Sequence, residues 1–170
     1  MMFHVRRMVP SDLAEIVVQP SQSLQMGLPT QFTQEEAEAL ADQRDAWTAL
    51  DGDRIICCIS IAENFPGRSA VAMALFAQGL GAAHVPLTRF AHRIVAESPL
   101  PRIEAVALAN DAEAILARFP HLDPYELLTS VMVDPTAPCR WAMMAGLTAV
   151  ACLRKFGAAS ETHVLFERIR

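Results

Sequence analysis

From Asp45 to Ala77 the sequence alternates in the manner of strands and is cut by two tight turns, Asp51-Gly52-Asp53 and Pro66-Gly67-Arg68-Ser69. Asp-Gly between two strand-like runs is a strong hairpin signal, because glycine tolerates the positive φ that a tight hairpin turn demands. Arg54 to Ala62 and Ala70 to Ala77 are therefore predicted to be adjacent antiparallel strands. The run at Trp47 and Leu50 supplies a third. Within the middle strand, Cys57 and Cys58 are neighbours, so their side chains are expected on opposite faces as small core residues.

Around this meander the period changes. Phe3 to Met8 reads as a first strand. Pro10-Ser11-Asp12 opens a helix with Ser11 as its expected N-cap and Leu13, Ile16 and Val17 as its inward positions. Gln19 to Phe32 is rich in Pro, Ser, Gln and Gly and reads as a loop. Thr33-Gln34-Glu35-Glu36 is a capping box that begins a second helix. Leu87, Phe90, Ala91, Ile94 and Val95 form the apolar stripe of a core-facing helix with Pro86 in its first turn. Ser98 to Pro101 stops that helix, and Arg102 to Leu108 reads as a strand. Asp111 to Phe119 looks helical, and Pro120 to Asp134 is read as a Tyr125 to Thr129 turn plus a short apolar run. A helix over Ala137 to Ala145 is expected to carry Trp141, Met144 and Ala145 inward. Leu147 to Arg154 and Thr162 to Ile169 form a terminal hairpin.

The chain has 170 residues, enough for one domain that buries roughly 70% of its unfolded surface. Hydrophobic residues make up 52% and charged residues 19%, a globular composition. A net charge of -5 and the lack of a Lys/Arg cluster argue against a nucleic-acid partner. Cys57, Cys58, Cys139 and Cys152 show no metal-ligand spacing, so no metal site is expected, and the cysteines fit a reducing compartment. The apolar stretch Ala70 to Leu87 contains Gln78, His84, Pro86 and two glycines, and reads as strand, turn and helix start, not as a membrane span.

The element order, β-α-α-β-β-β-α-β-α-β-β, is similar to that of the GCN5-related N-acetyltransferases (GNAT). The opening Val5-Arg6-Arg7-Met8-Val9-Pro10-Ser11-Asp12 resembles that family's first strand and helix start. Arg140 to Leu147, Phe156-Gly157 and His163 to Phe166 resemble the closing helix and hairpin of phage-encoded members, among them small internal virion proteins of short-tailed phages. Leu87 to Ala91 and Pro101 to Ala105 carry the same resemblance. It implies a single α/β (α+β) domain over residues 1–170, with a mixed, mostly antiparallel sheet, helices on both faces, and fourth and fifth strands that splay apart. Residues 111–133 stand out as an insertion.

Gln78-Gly79-Leu80-Gly81-Ala82-Ala83 matches the family's cofactor signature. Small residues let backbone N–H groups approach a pyrophosphate, and the helix start behind them adds partial positive charge. Gln78, Gly79, Gly81, Ala82 and Ala83 are thus the residues that the resemblance implies for acetyl-CoA. The alternative reading is a tight strand-to-helix turn and nothing more.

Acetyl transfer calls for a base for the amine and an acid for the departing thiolate. By resemblance the base is a carboxylate on or near the fourth strand, and the acid a Tyr four residues before the glycine of the closing helix. Ala70 to Ala77 has no ionisable side chain, and the Tyr position before Gly146 holds Ala142. Glu63, Glu104 and Tyr125 are the remaining candidates, each with an ordinary surface or core role as its alternative. His92 and His163 read as solvated or hydrogen-bonded residues.

Two functions follow from the resemblance. One is a catalytically degenerate, virion-associated structural or binding protein that partners other phage particle proteins. The other is an active acetyl-CoA-dependent N-acetyltransferase acting on an amine. Host cytoplasm or virion is the expected location, not the outside of the cell. On the first reading residues 111–133 pack on a partner or close off the site; on the second they border an open cleft, with the Tyr125 hydroxyl toward the thiol end of the cofactor.

Overall fold

The computed structural model describes residues 2–20, 22 and 32–170. Most of the expected loop from Gln19 to Phe32 lies outside the described residues. Strand β1 (Phe3–Arg7) is followed by helix α1 (Pro10–Glu15) and helix α2 (Gln34–Ala41). The meander is β2 (Asp45–Asp51), β3 (Arg54–Phe65) and β4 (Ser69–Phe76), as expected, although β3 runs three residues beyond Ala62. Its two turns hold Gly52 at φ +60° and Gly67 at φ +67°, a backbone region that most side chains avoid. Then come α3 (His84–Glu97), β5 (Arg102–Leu108), α4 (Ala112–Arg118), α5 (Pro124–Val131), α6 (Ala137–Met144), β6 (Thr148–Leu153) and β7 (His163–Ile169).

The seven strands form one sheet in the order β1-β2-β3-β4-β5-β7-β6. Every pair is antiparallel except β4 with β5. Helices α1 and α2 pack with Cys58 and Leu75 on one face, and α3 and the end of α6 pack with Cys57 and Ile59 on the other. The adjacent cysteines do point to opposite faces, and both are fully buried. The fold class is the mixed α/β arrangement expected.

Local chemistry explains where the reading of elements fails. Ser11 is not the N-cap of α1. Val9 holds that place, and the Asp12 carboxylate accepts from the Val9 N–H at 3.0 Å, with Pro10 as first helical residue. Six residues leave α1 little inward face, so Leu13 and Ile16 are buried while Val17 stands 70% exposed past its end. Residues 124–131 are helix α5, not a turn. Asp123 caps it and accepts from the N–H groups of Tyr125 and Glu126, Pro124 fills the first position, and Glu126 returns a bond to the Asp123 N–H. In α6 Cys139 and Ala142, together with Ala145, are buried and Trp141 packs against the core as expected, whereas Met144 faces solvent.

Candidate functional site

Strands β4 and β5 pair only over Ser69–Val71 with Arg102–Glu104. Beyond that they diverge, and the gap becomes a cavity of about 330 Å³ that passes between the strands. Divergence strips the C-terminal half of β4 of a strand partner on that edge. Ala72, Ala74 and Phe76 form one wall, and Ala105, Ala107 and Leu108 the other. Trp141 and Ala142 of α6 roof it, with the Trp141 ring edge-on to Phe76 at 4.7 Å between centroids. The Trp141 indole N–H donates to the Thr88 hydroxyl at 3.2 Å, which ties α6 to α3 above the gap.

The wall is apolar almost throughout. Among the described residues its polar side chains are Gln22, the Trp141 indole and His163, and of these His163 alone is ionisable. The Gln22 carboxamide lies along the open edge of β4, donating to Ala74 O at 2.9 Å and accepting from the Phe76 N–H at 2.7 Å. His163 is 6% exposed, and its Nδ1 is buried with no hydrogen-bond partner among the described residues. Its Nδ1 is thus neither solvated nor hydrogen-bonded among the described residues, where a solvated or hydrogen-bonded ring was expected.

At its C-terminal end β4 leads through Ala77 into the turn Gln78 to Ala83, which winds as a short 3-10 helix over Gly81–Ala83 and continues into α3. Gly79 and Gly81 have φ of +66° and +50°. An Arg54 guanidinium N–H donates to the Gln78 carbonyl and fixes the start of the turn. The Ala83 N–H bonds to Leu80 O, the His84 N–H bonds to Gly81 O, and Pro86 has none to give. The N–H groups of Gly79, Leu80, Gly81 and Ala82 make no backbone hydrogen bond among the described residues. Nothing stands within 4 Å of the place where a Gly81 side chain would be. Gln78, Gly79, Gly81 and Ala82 are exposed, and Ala83 is buried beneath them.

The three candidate catalytic residues lie outside the cavity wall. The Glu63 carboxylate accepts from the Gly67 N–H at 2.6 Å in the β3–β4 turn. Glu104 pairs with Arg102 at 2.7 Å, and Arg102 also reaches Glu167 at 2.9 Å. Tyr125 is 77% exposed on α5. Residues 111–133 do not line the cleft either. Their apolar side chains, Ala112, Leu127 and Val131, are buried with Phe166 and Val164 in the core beneath α6. Among the described residues no group of three or more His, Cys, Asp or Glu side chains is placed to hold a metal ion. No described helix is long and apolar enough to cross a membrane.

No family model matches the sequence, and no curated protein matches it. Solved structures do. Ard1 from Thermoplasma volcanium superposes with a TM-score of 0.64 at 13% identity, over 99% of this chain and 98% of that one. The loading GNATL domain of CurA from Lyngbya majuscula gives 0.65 at 13% identity, over 99% and 98%. A GNAT-like decarboxylase, GphF, in complex with isobutyryl-CoA gives 0.64 at 12% identity, over 98% of each chain. The chain therefore has the GNAT fold along almost its whole length; identities this low speak for fold alone.

Proposed function

We propose that this chain binds an acyl-CoA thioester, acetyl-CoA first among them, between β4 and β5 and transfers its acyl group to an amine. One observation carries the reading: an apolar cleft whose wall strand leads directly into a glycine turn with four amides that make no backbone hydrogen bond among the described residues. Gly79 to Ala82 would hold the pyrophosphate, helped by the N-terminal end of the 14-residue helix α3. Ala83 packs beneath them, and Gln78 is held at its carbonyl by Arg54. Where Gln22 gives way, the edge of β4 at Ala74 and Phe76 offers main-chain partners to an amide-bearing ligand arm, as an unpaired strand edge does for a peptide. Proximity and orientation in such a cleft supply much of an acyl-transfer acceleration.

A second reading has its own support. Ala142 stands where the fold's acid would be, β4 has no ionisable side chain, and Glu63 and Glu104 are engaged elsewhere. With the phage-like segments, this favours a degenerate virion-associated protein whose partners are other particle proteins.

Calorimetric titration with acetyl-CoA separates the two. Binding that Gly81→Asp abolishes supports the first reading. The new carboxylate has free space, and aspartate bears the strain of φ +50° better than most side chains; thermal unfolding of the variant checks that the fold survives while charge and bulk meet the pyrophosphate. No binding by the native chain, together with its recovery in purified phage particles, favours the second.

A further inference from the structure

We infer that His163 is the proton acceptor for acyl transfer in this cleft, an inference that rests on the acyl-CoA reading above. Three observations meet at this residue. Among the described residues it is the one ionisable side chain on the wall of the β4–β5 cavity. It is 6% exposed, so most of the ring is shielded from bulk water. Its Nδ1 has no hydrogen-bond partner among the described residues, and a buried polar atom left unpaired calls for an explanation.

The surroundings are built around this ring. Across the sheet its register partners are Leu108 of β5 and Leu153 of β6, which bring no charge. The edge of Phe156 meets it at 5.4 Å between centroids. A side chain at Gly157 would lie 2.7 Å from His163 Cε1 and 2.0 Å from Glu161 Oε2, so only glycine lets the imidazole and that carboxylate share this corner. The charged residues of the adjoining turn are Arg154, bound to Glu113 at 2.7 Å, Lys155 and Glu161. From β4, α3 and α6 the cleft wall presents no other titratable group.

The step balances without a further reactant. The neutral amine nitrogen attacks the thioester carbonyl carbon; a C–N bond forms, the C–S bond breaks, and sulfur leaves with its electron pair. The surplus N–H proton passes to the imidazole and from there to the thiolate. Amide and free thiol result, and His163 returns to its neutral form.

The test uses the full chain. Acetyl-CoA is titrated by calorimetry, and the Cε1–H resonance of His163 is followed by NMR beside those of the other four histidines. Turnover is measured with a panel of amines as a function of pH. His163→Ala is expected to bind acetyl-CoA within about 3-fold of the native chain while kcat falls about 100-fold or more. It should recover part of its rate with added imidazole. His163→Gln is the second variant, in case alanine leaves the strand end loose. Acetyl-CoA that binds without moving the His163 resonance, or variants with unchanged kcat, would overturn the assignment. Failure of the native chain to bind acetyl-CoA would instead overturn the reading on which it rests, and His163 with it.

Discussion

The Arg6 guanidinium grips the buried Asp12 carboxylate through two hydrogen bonds, of 2.7 and 2.6 Å. The same carboxylate accepts from the Thr48 hydroxyl at 2.5 Å and the Val9 N–H at 3.0 Å, so one side chain joins β1, α1 and β2. Burial by itself pushes the Asp12 pKa up. The bonds from Arg6, Thr48 and Val9 outweigh it and hold the group below the usual carboxylate range, while Arg6 is raised. A depressed folded pKa means stability that is fully present above the unfolded value of about 4 and is lost as pH falls through the folded one.

Arg6→Ala should therefore destabilise the chain by about 1 to 2 kcal/mol at pH 7, less than breaking a fully buried pair, since the Arg6 side chain is 40% exposed and Thr48 and Val9 remain. The deficit should shrink as pH falls below about 4, because without Arg6 the Asp12 pKa lies nearer its unfolded value and less stability is left to lose on protonation. Urea unfolding between pH 3 and pH 7 checks both. Parallel pH curves would show that Arg6 does not hold Asp12 ionised.

Much of this arrangement was legible in residue order, and the reason is local. The capping box Thr33/Glu36, the Asp-Gly hairpin and the Leu87 to Val95 stripe are each settled within a few residues, so short-range rules suffice. The α5 cap was equally local: Asp123, Pro124 and Glu126 spell a helix start, and the neighbouring prolines obscured it. The cleft was not legible in this way. It exists because β4 and β5 part after three residue pairs, and His163 enters it from the far end of the chain. Alternation along β7 says nothing of which neighbour has moved away.

The thiols offer a check on the core. Cys57 is fully buried and its pKa is driven well above the usual thiol value by loss of hydration; Cys58 is pushed up to about 12 for the same reason. Cys139 is buried and donates to Leu108 O at 3.3 Å. Only Cys152 is partly exposed. A water-soluble disulfide reagent at pH 8 should thus titrate at most one thiol in the folded chain, slowly, and four in guanidinium. Two rapidly reacting thiols in the folded chain would contradict this packing.

Gln22 occupies the edge of β4 that an amide-bearing ligand would use. Replacing it by alanine frees Ala74 O and the Phe76 N–H, whose two hydrogen bonds contribute about 1 kcal/mol each in net terms. Gln22→Ala should therefore bind acetyl-CoA up to about 30-fold more tightly if the ligand takes that edge. Calorimetry on the variant beside the native chain measures it. Weaker binding would mean that Gln22 helps hold the ligand and does not compete with it.

Residues 111–133 carry the last prediction. An excursion of this length between β5 and α6 invites removal as an appendage, yet Ala112, Leu127 and Val131 are buried in the same cluster as Ile103, Leu147 and Phe166. The segment is also tied from outside, for Glu113 binds Arg154 at 2.7 and 3.0 Å, next to β6. Leu127→Ala should cost about 2 to 4 kcal/mol, since the transfer of the lost methyl groups adds to the cavity they leave. Tyr125→Ala, two residues away and 77% exposed, should lie within about 0.5 kcal/mol of the native chain. Deleting residues 111–130 should then abolish cooperative unfolding altogether, together with any acetyl-CoA binding, because it removes part of the core. A deletion variant that unfolds cooperatively near the native midpoint would show instead that the rest of the fold is self-sufficient and that α4 and α5 only rest against it.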